Sequence, residues 1–336
     1  MRELRYGGIE KQVLLLANAL SDIFQIEIIV LGKKEMLQFD LLKKVKLIEL
    51  GFLDYKNNVL QKRKLKNKIR ELLMEESVST IVSTDFLFNE FFSHLNEEVN
   101  IIYWEHTYQA KALENVKKDL HSIKRVVVPN AYIQEFYYSI NIPVSVIPFS
   151  IESGGYDGDI SKNQDIVAIG KLEKEKHYDE MIEVMEKVVH VNNNAKLYII
   201  GDGPERVKLS KLVEQKKLEK NIIFSGFLES DEVEKALKKA RIMIGTRDKE
   251  SFGVSFLEAM RFGIPCVSFD YFALHEIIKD DINGYLIKNR DKEEMANRII
   301  SLLQNEELCM NLGSCSKEMS LIYEIQSVKS EWIKIL

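Results

Sequence analysis

Short apolar runs alternate along the chain with stretches whose apolar residues recur at helical spacing. Ile26-Glu27-Ile28-Ile29-Val30-Leu31, Val45-Lys46-Leu47-Ile48, Thr80-Ile81-Val82, Ile101-Ile102-Tyr103-Trp104 and Arg125-Val126-Val127-Val128 are rich in β-branched and aromatic residues and predict strands. A second series starts at Asp165-Ile166-Val167-Ala168-Ile169-Gly170. It continues through Ala195-Lys196-Leu197-Tyr198-Ile199-Ile200, Ile222-Ile223-Phe224, Arg241-Ile242-Met243-Ile244, Val267-Ser268-Phe269-Asp270 and Asn283-Gly284-Tyr285-Leu286-Ile287. Helical patterns lie mostly between the runs, the first of them with Ile9, Val13, Leu16, Ala17 and Leu20 on one face. Such alternation predicts an α/β protein with parallel, doubly wound sheets. Between Ile147 and Asp165 the chain turns polar, with Ser153-Gly154-Gly155-Tyr156-Asp157-Gly158-Asp159, which predicts a linker. Two Rossmann-like domains follow, residues 1–152 and 153–319, a division that 336 residues suit.

The start of the chain is at odds with this pattern. The strand leading into the first glycine loop of a doubly wound sheet is central. Only six residues precede Gly7, and Arg2-Glu3-Leu4-Arg5 has neither the length nor the apolar content of a buried strand. The expectation is a truncated or mis-started form whose first domain is the less stable, with weaker hydrogen-exchange protection at 26–31 and 80–82 than at 165–170 and 196–200.

Composition narrows the class. With 46% apolar and 29% charged residues the chain is an ordinary globular protein, and a net charge of −5 gives no global reason to bind nucleic acid. Cys266, Cys309 and Cys315 have no metal or redox spacing and are too few and odd in number for a disulfide framework, which places the chain in a reducing cytoplasm. The six histidines are scattered without ligand spacing, so no metal or cofactor is expected. No apolar run reaches the ~20 residues of a membrane span. The densely basic segment 62–70 carries Leu65, Ile69, Leu72 and Leu73 on its other face, and suits either an anionic bilayer surface or a solvated helix packed on the sheet.

The chemistry concentrates in Gly245-Thr246-Arg247-Asp248-Lys249-Glu250-Ser251-Phe252-Gly253-Val254-Ser255-Phe256-Leu257-Glu258-Ala259-Met260. This reads as a strand end, a loop and a buried helix, which aims backbone N–H groups and a positive dipole end at the crevice beyond the strands, a site for an anion. Glu250 and Glu258 would lie roughly 12 Å apart if the whole segment were helical. A glycosidase acid/base pair stands about 5 to 9.5 Å apart, so one carboxylate at each end of an elongated ligand fits better. The plain alternative makes Glu250 a helix-start acid and Glu258 a solvated face residue. Elsewhere, Gly7-Gly8 at a helix start lets backbone approach a phosphate or simply turns the chain. His106, just past a predicted strand, is a crevice residue or a structural one. Lys171 and Lys176 flank a turn as point charges for a diphosphate, or as an exposed charged loop.

Glu250-Ser251-Phe252-Gly253, Leu257-Glu258-Ala259-Met260 and Gly263-Ile264-Pro265-Cys266-Val267 resemble the signature of glycosyltransferase family 4, retaining enzymes that use nucleotide sugars. Gly7-Gly8-Ile9-Glu10, Lys171-Leu172-Glu173-Lys174-Glu175-Lys176, Gly201-Asp202-Gly203-Pro204 and Gly226-Phe227-Leu228 match further motifs of that family. The resemblance spans nearly the whole chain. It implies the GT-B fold, two Rossmann-like domains facing across a cleft, with the final helix in 320–336 packing back on the first domain. It implies that Glu250 holds the sugar hydroxyls, Glu258 the ribose, Gly226 and Phe227 the nucleobase through backbone, and Lys176 with Phe252, Gly253 and Val254 the diphosphate. Gly8 faces the donor and His106 the sugar and acceptor, so Glu250, His106 and Lys176 are the catalytic candidates. Lys171 stands where the family has arginine, which keeps charge but loses bidentate geometry. The implied donor is a UDP-sugar and the implied acceptor a glycan or lipid-linked glycan of capsule or lipopolysaccharide synthesis. A nucleotide-sugar 2-epimerase of the same architecture and a non-catalytic partner subunit remain alternatives.

Overall fold

The computed structural model describes residues 7–32, 41–52, 59–75, 78–84, 99–106, 123–154, 164–248 and 251–336. The chain divides into two compact units, Met1–Glu152 with Ile325–Leu336, and Ser153–Glu324.

In the first unit, α1 (Gly8–Leu20), β1 (Ile26–Val30), β2 (Val45–Glu49), α2 (Val59–Glu75), β3 (Thr80–Ser83), β4 (Asn100–Trp104), β5 (Arg125–Val128), α3 (Ala131–Glu135) and β6 (Val144–Val146) follow one another. Among the described residues β1 and β2 form one parallel pair, and β3-β4-β5-β6 a parallel sheet of four. Strands covered on both faces read as unbroken apolar runs, and Ile101 to Trp104 and Val126 to Val128 are all buried. The pattern of apolar positions does not announce β6, because Val144-Ser145-Val146 is only three residues long; it pairs with β5 from Val126 to Val128.

Along α1 the buried positions are Gln12, Leu14, Leu16, Ala17 and Leu20, whereas Ile9 and Val13 of the predicted face stay half-buried. Gln12 can be buried because both the nitrogen and the oxygen of its amide bond to Ser150. Its Nε2 donates to Ser150 O at 2.7 Å and its Oε1 accepts from Ser150 N at 2.7 Å. The final helix, Ile325–Ile333, packs on α1 in this unit, with Trp332 fully buried and edge-on to Trp104 at 4.8 Å between ring centroids. The C-terminal carbonyls accept from Thr80 Oγ1 and Asn100 Nδ2, both at 3.1 Å. Residues 320–324 stay with the second unit, where buried Tyr323 lies edge-on to Phe252 at 5.7 Å and donates to Glu276 O at 3.3 Å.

The second unit runs β7 (Asp165–Ile169), α4 (Tyr178–Val191), β8 (Lys196–Ile200), α5 (Arg206–Gln215), β9 (Ile222–Gly226), α6 (Ser230–Leu237), β10 (Ala240–Gly245), α7 (Val254–Arg261), β11 (Cys266–Phe269), β12 (Gly284–Ile287), α8 (Lys292–Gln304) and α9 (Glu306–Ser320). Its six strands are parallel in the order β12-β11-β10-β7-β8-β9. This is the doubly wound order, and it reverses between β7 and β10. A parallel sheet of this order is covered by helices on both faces, which is why its strands are mostly apolar. Ile166, Leu197, Ile199, Ile242, Val267, Phe269, Met295 and Ile299 are all fully buried in one core, each worth about 1.5 to 3 kcal/mol in removal from water. Asp291 caps α8 by accepting from Glu293 N at 2.9 Å and Glu294 N at 3.0 Å. No helix among the described residues is long and apolar enough to cross a membrane.

Candidate active site

At the switch point the chain leaves β7 and β10 in opposite directions, opening a crevice at their carboxyl ends. A cavity of about 20 Å³ lies there, lined by Ala168 and Ile169 from β7, Met243 to Gly245 from β10, Thr246, Arg247, Lys176, Ser255 of α7 and Tyr271 after β11. Its volume admits about one water, so a larger ligand would lie over its mouth.

Two pieces of backbone shape the crevice. After β7 the chain forms a short 3-10 turn, Lys174–Lys176, and enters α4 through His177, whose φ of 51° and ψ of 44° are left-handed. Lys176 folds back over Gly170: a Cβ on Gly170 would stand 3.3 Å from its Cε and Nζ and 3.2 Å from Tyr178 Oη. After β10, Thr246 is 1% exposed, and its hydroxyl is shared between the carbonyls of Lys176 and His177, both at 2.9 Å. The loop then reaches α7 through Gly253, at φ 99°. A Cβ there would meet Leu274 Cδ2 at 2.7 Å and Ile277 Cδ1 at 3.0 Å, so glycine is required both by dihedral and by space. The first turn of α7 has N–H groups with no acceptor inside the helix, and these with the dipole favour an anion.

The site residues read from the sequence are distributed as follows. Lys176, Gly253, Val254 and Glu258 all belong to the Lys176 turn and α7, and Val254 and Glu258 are half-buried. Phe252 is fully buried in the core against Tyr323, so it offers a ligand backbone only. Lys171 is exposed and ion-paired with Glu173 Oε1 at 2.6 Å, a contact of small energy in water. Gly226 ends β9 at the edge of the sheet with φ 73°, and Phe227 after it is 47% exposed. Glu250 lies outside the described residues. Gly8 and His106 belong to the first unit, Gly8 exposed in the first turn of α1.

His106 follows β4 and is 4% exposed, stacked on Phe149 at 5.1 Å and tilted against Trp104 at 4.3 Å. Neither ring nitrogen has a hydrogen-bond partner among the described residues, and burial lowers its pKa to about 3. It is a neutral imidazole at pH 7. Its neighbour Glu105, also buried, accepts from Tyr137 Oη at 2.6 Å and Tyr103 Oη at 3.2 Å, which fixes the turn carrying His106. Burial first, and then the Glu105 charge, push the Tyr137 hydroxyl up, so it stays a donor. Among the described residues no three His, Cys, Asp or Glu side chains gather as metal ligands.

Thr246, Ser255 and Tyr271 line the crevice without having been singled out by sequence reasoning. Thr246 could have been found as the first polar residue after an apolar strand; Tyr271 has no such signal, standing after Phe269-Asp270 in a stretch without periodicity.

The chain is similar to known glycosyltransferases. Residues 158–319 match the model of the family described as glycosyl transferases group 1. The poly(ribitol-phosphate) alpha-N-acetylglucosaminyltransferase of Staphylococcus aureus is 32% identical over 169 residues, 50% of this chain and 34% of that one. The chain thus spans about a third of that relative's length. An uncharacterized glycosyltransferase of Haemophilus influenzae is 24% identical over 98% of this chain and 96% of its own. The crystal structure of Anabaena HepE in complex with UDP and glucose superposes with a TM-score of 0.83 at 15% identity, over 99% of this chain and 97% of that one, which shows the fold alone.

Proposed function

We propose that this protein is a retaining glycosyltransferase that moves a sugar from a UDP-sugar to a glycan or lipid-linked acceptor in cell-surface polysaccharide synthesis, a reading supported by the match of residues 158–319 to the model of the group 1 glycosyl transferases and by the GT-B fold. The observation that carries this reading is the convergence of the Lys176 turn and the α7 N-terminus on the switch-point crevice of the second unit. In the reaction the bond from the anomeric carbon to the diphosphate breaks, and the acceptor oxygen bonds to that carbon on the same face. Negative charge grows on the departing diphosphate, where Lys176 and the first N–H groups of α7 stabilise it, with Lys171 able to join by leaving Glu173. The acceptor's proton passes to the departing phosphate. Glu250 orients the sugar hydroxyls, Glu258 the ribose, and Gly226 with Phe227 the base; Gly8 faces the donor and His106 the sugar and acceptor. These fixed charges do the work of a metal.

Support comes from the relatives: the staphylococcal protein is named for N-acetylglucosamine transfer to poly(ribitol-phosphate), and HepE was solved with UDP and glucose. The proposed place of action is the cytoplasm, at the membrane surface. There the outward face of α2, with Leu60 71% and Met74 73% exposed around the exposed Arg63, Lys64 and Arg70, would rest on anionic lipid.

The test is a UDP titration beside a transfer assay with a panel of UDP-sugars. Glu258→Ala should weaken UDP itself, whereas Glu250→Ala should abolish transfer with a smaller loss of UDP. Turnover should persist in chelator. Failure of the parent to bind UDP, or activity lost in chelator and restored by magnesium or manganese, would refute the reading.

A further inference from the structure

Arg290 stands where its backbone is disfavoured. After β12 the chain makes a turn in which Asn289 (φ 53°, ψ 19°) and Arg290 (φ 53°) are both left-handed, a region that glycine enters freely and a residue with a Cβ does not. What glycine could not supply is the side chain. The Arg290 guanidinium forks onto Glu180 in the first turn of α4, Nη2 donating to Oε1 at 2.7 Å and Nε to Oε2 at 3.2 Å. The same Nη2 donates to Thr246 O at 3.0 Å, and the group stacks over the Phe269 ring at 4.7 Å. Thr246 in turn is tied by its hydroxyl to the carbonyls of Lys176 and His177.

One side chain thereby joins three segments distant in sequence: the turn after β12, the start of α4 beside Lys176, and the exit of β10 at Thr246. We propose that Arg290 is a positioning residue that holds this strand exit and the Lys176 turn in mutual register for the donor diphosphate. The inference rests on the reading of that crevice as the donor site. Arg290 is bidentate on a carboxylate while also reaching a carbonyl, which the single ammonium of lysine does not reproduce. A structural clamp at a strained position has a purpose only if what it clamps is needed.

The experiment compares Arg290→Gly, Arg290→Lys and Thr246→Val with the parent, by UDP titration, by thermal midpoint and by KM and kcat for the donor. Arg290→Gly frees the backbone, so its midpoint should stay near the parent's while UDP binds about tenfold more weakly and donor KM rises more than kcat falls. Arg290→Lys should recover only part of the loss. Thr246→Val, which cuts the tie to Lys176 at nearly constant volume, should weaken UDP similarly, and in the double variant the two losses should add to well under their sum because they act through one link. Parent-like UDP affinity in Arg290→Gly, or a fall in kcat with donor KM unchanged, overturns the positioning role while leaving the donor site intact. A parent that does not bind UDP overturns the donor site and this inference with it.

Discussion

Gly253→Ala is the substitution whose effect the structure specifies most fully. At φ 99° an L-residue is strained, at about 1 to 2 kcal/mol. The new Cβ would stand 2.7 Å from Leu274 Cδ2 and 3.0 Å from Ile277 Cδ1. Both side chains are fully buried, so neither can swing away, and overpacking of this kind costs about 1 to 3 kcal/mol. The total is about 2 to 5 kcal/mol, a large share of a typical net stability of ~5 to 15 kcal/mol. For a domain of this size each kcal/mol moves the thermal midpoint by about 2 to 4 °C, so the variant should melt roughly 4 to 20 °C below the parent. Differential scanning fluorimetry with and without UDP reads both stability and the loosened α7 N-terminus. Gly8→Ala is the control: a Cβ there meets nothing within 4 Å, and alanine is the better helix residue, so its midpoint should hold or rise slightly. Loss of transfer in Gly8→Ala at full stability would then report a ligand and not the fold. A midpoint for Gly253→Ala within about 2 °C of the parent would show that the crevice backbone relaxes at no cost and would refute the reasoning.

Two other outcomes follow. His106 has a folded-state pKa of about 3, below its unfolded value, so the stability it lends is present above about pH 6.5 and is lost as pH falls toward 3; at pH 5 the loss is roughly 2 kcal/mol, and His106→Gln should flatten the pH dependence of urea unfolding between pH 7 and 5, equal slopes counting against it. On α2, replacing Arg63, Lys64 and Arg70 by alanine removes three exposed cations worth about 1 kcal/mol each near an anionic bilayer, so sedimentation with phosphatidylglycerol vesicles should weaken about a hundredfold while Lys68→Ala, at an ion-paired position, changes less; no binding by the parent would end the membrane reading.

Much of the architecture is legible in the sequence for a physical reason: strands buried on both faces carry few polar residues, so Ile101 to Trp104 and Val126 to Val128 announce themselves. Where that reason weakens, so does the reading. At three residues β6 is too short to show a period, and Gln12 looks like a surface residue until Ser150, 138 positions away, supplies its hydrogen bonds. Phe252 reads as part of a binding motif, yet its side chain belongs to the core, because an aromatic beside a ligand loop and an aromatic anchoring that loop from beneath have the same local pattern.

The crevice shows the same division more sharply. The residues that could touch an anion sit at strand ends and a helix start, and local pattern locates such places well, as with Lys176 and the stretch around Gly253. The residues that hold those places in register do not, since Thr246 reaches back 70 residues to Lys176, and Arg290 reaches 44 residues to Thr246 and 110 to Glu180. Local propensity even argues against Arg290, because a left-handed position calls for glycine. A conflict between local preference and the folded arrangement carries a cost that only a wider gain can offset, and in folded proteins such conflicts collect where function is built. In this chain the conflict at Arg290 and the left-handed His177 at the start of α4 lie on two sides of one hydrogen-bonded link, the one that sets Lys176 against the loop leading to α7.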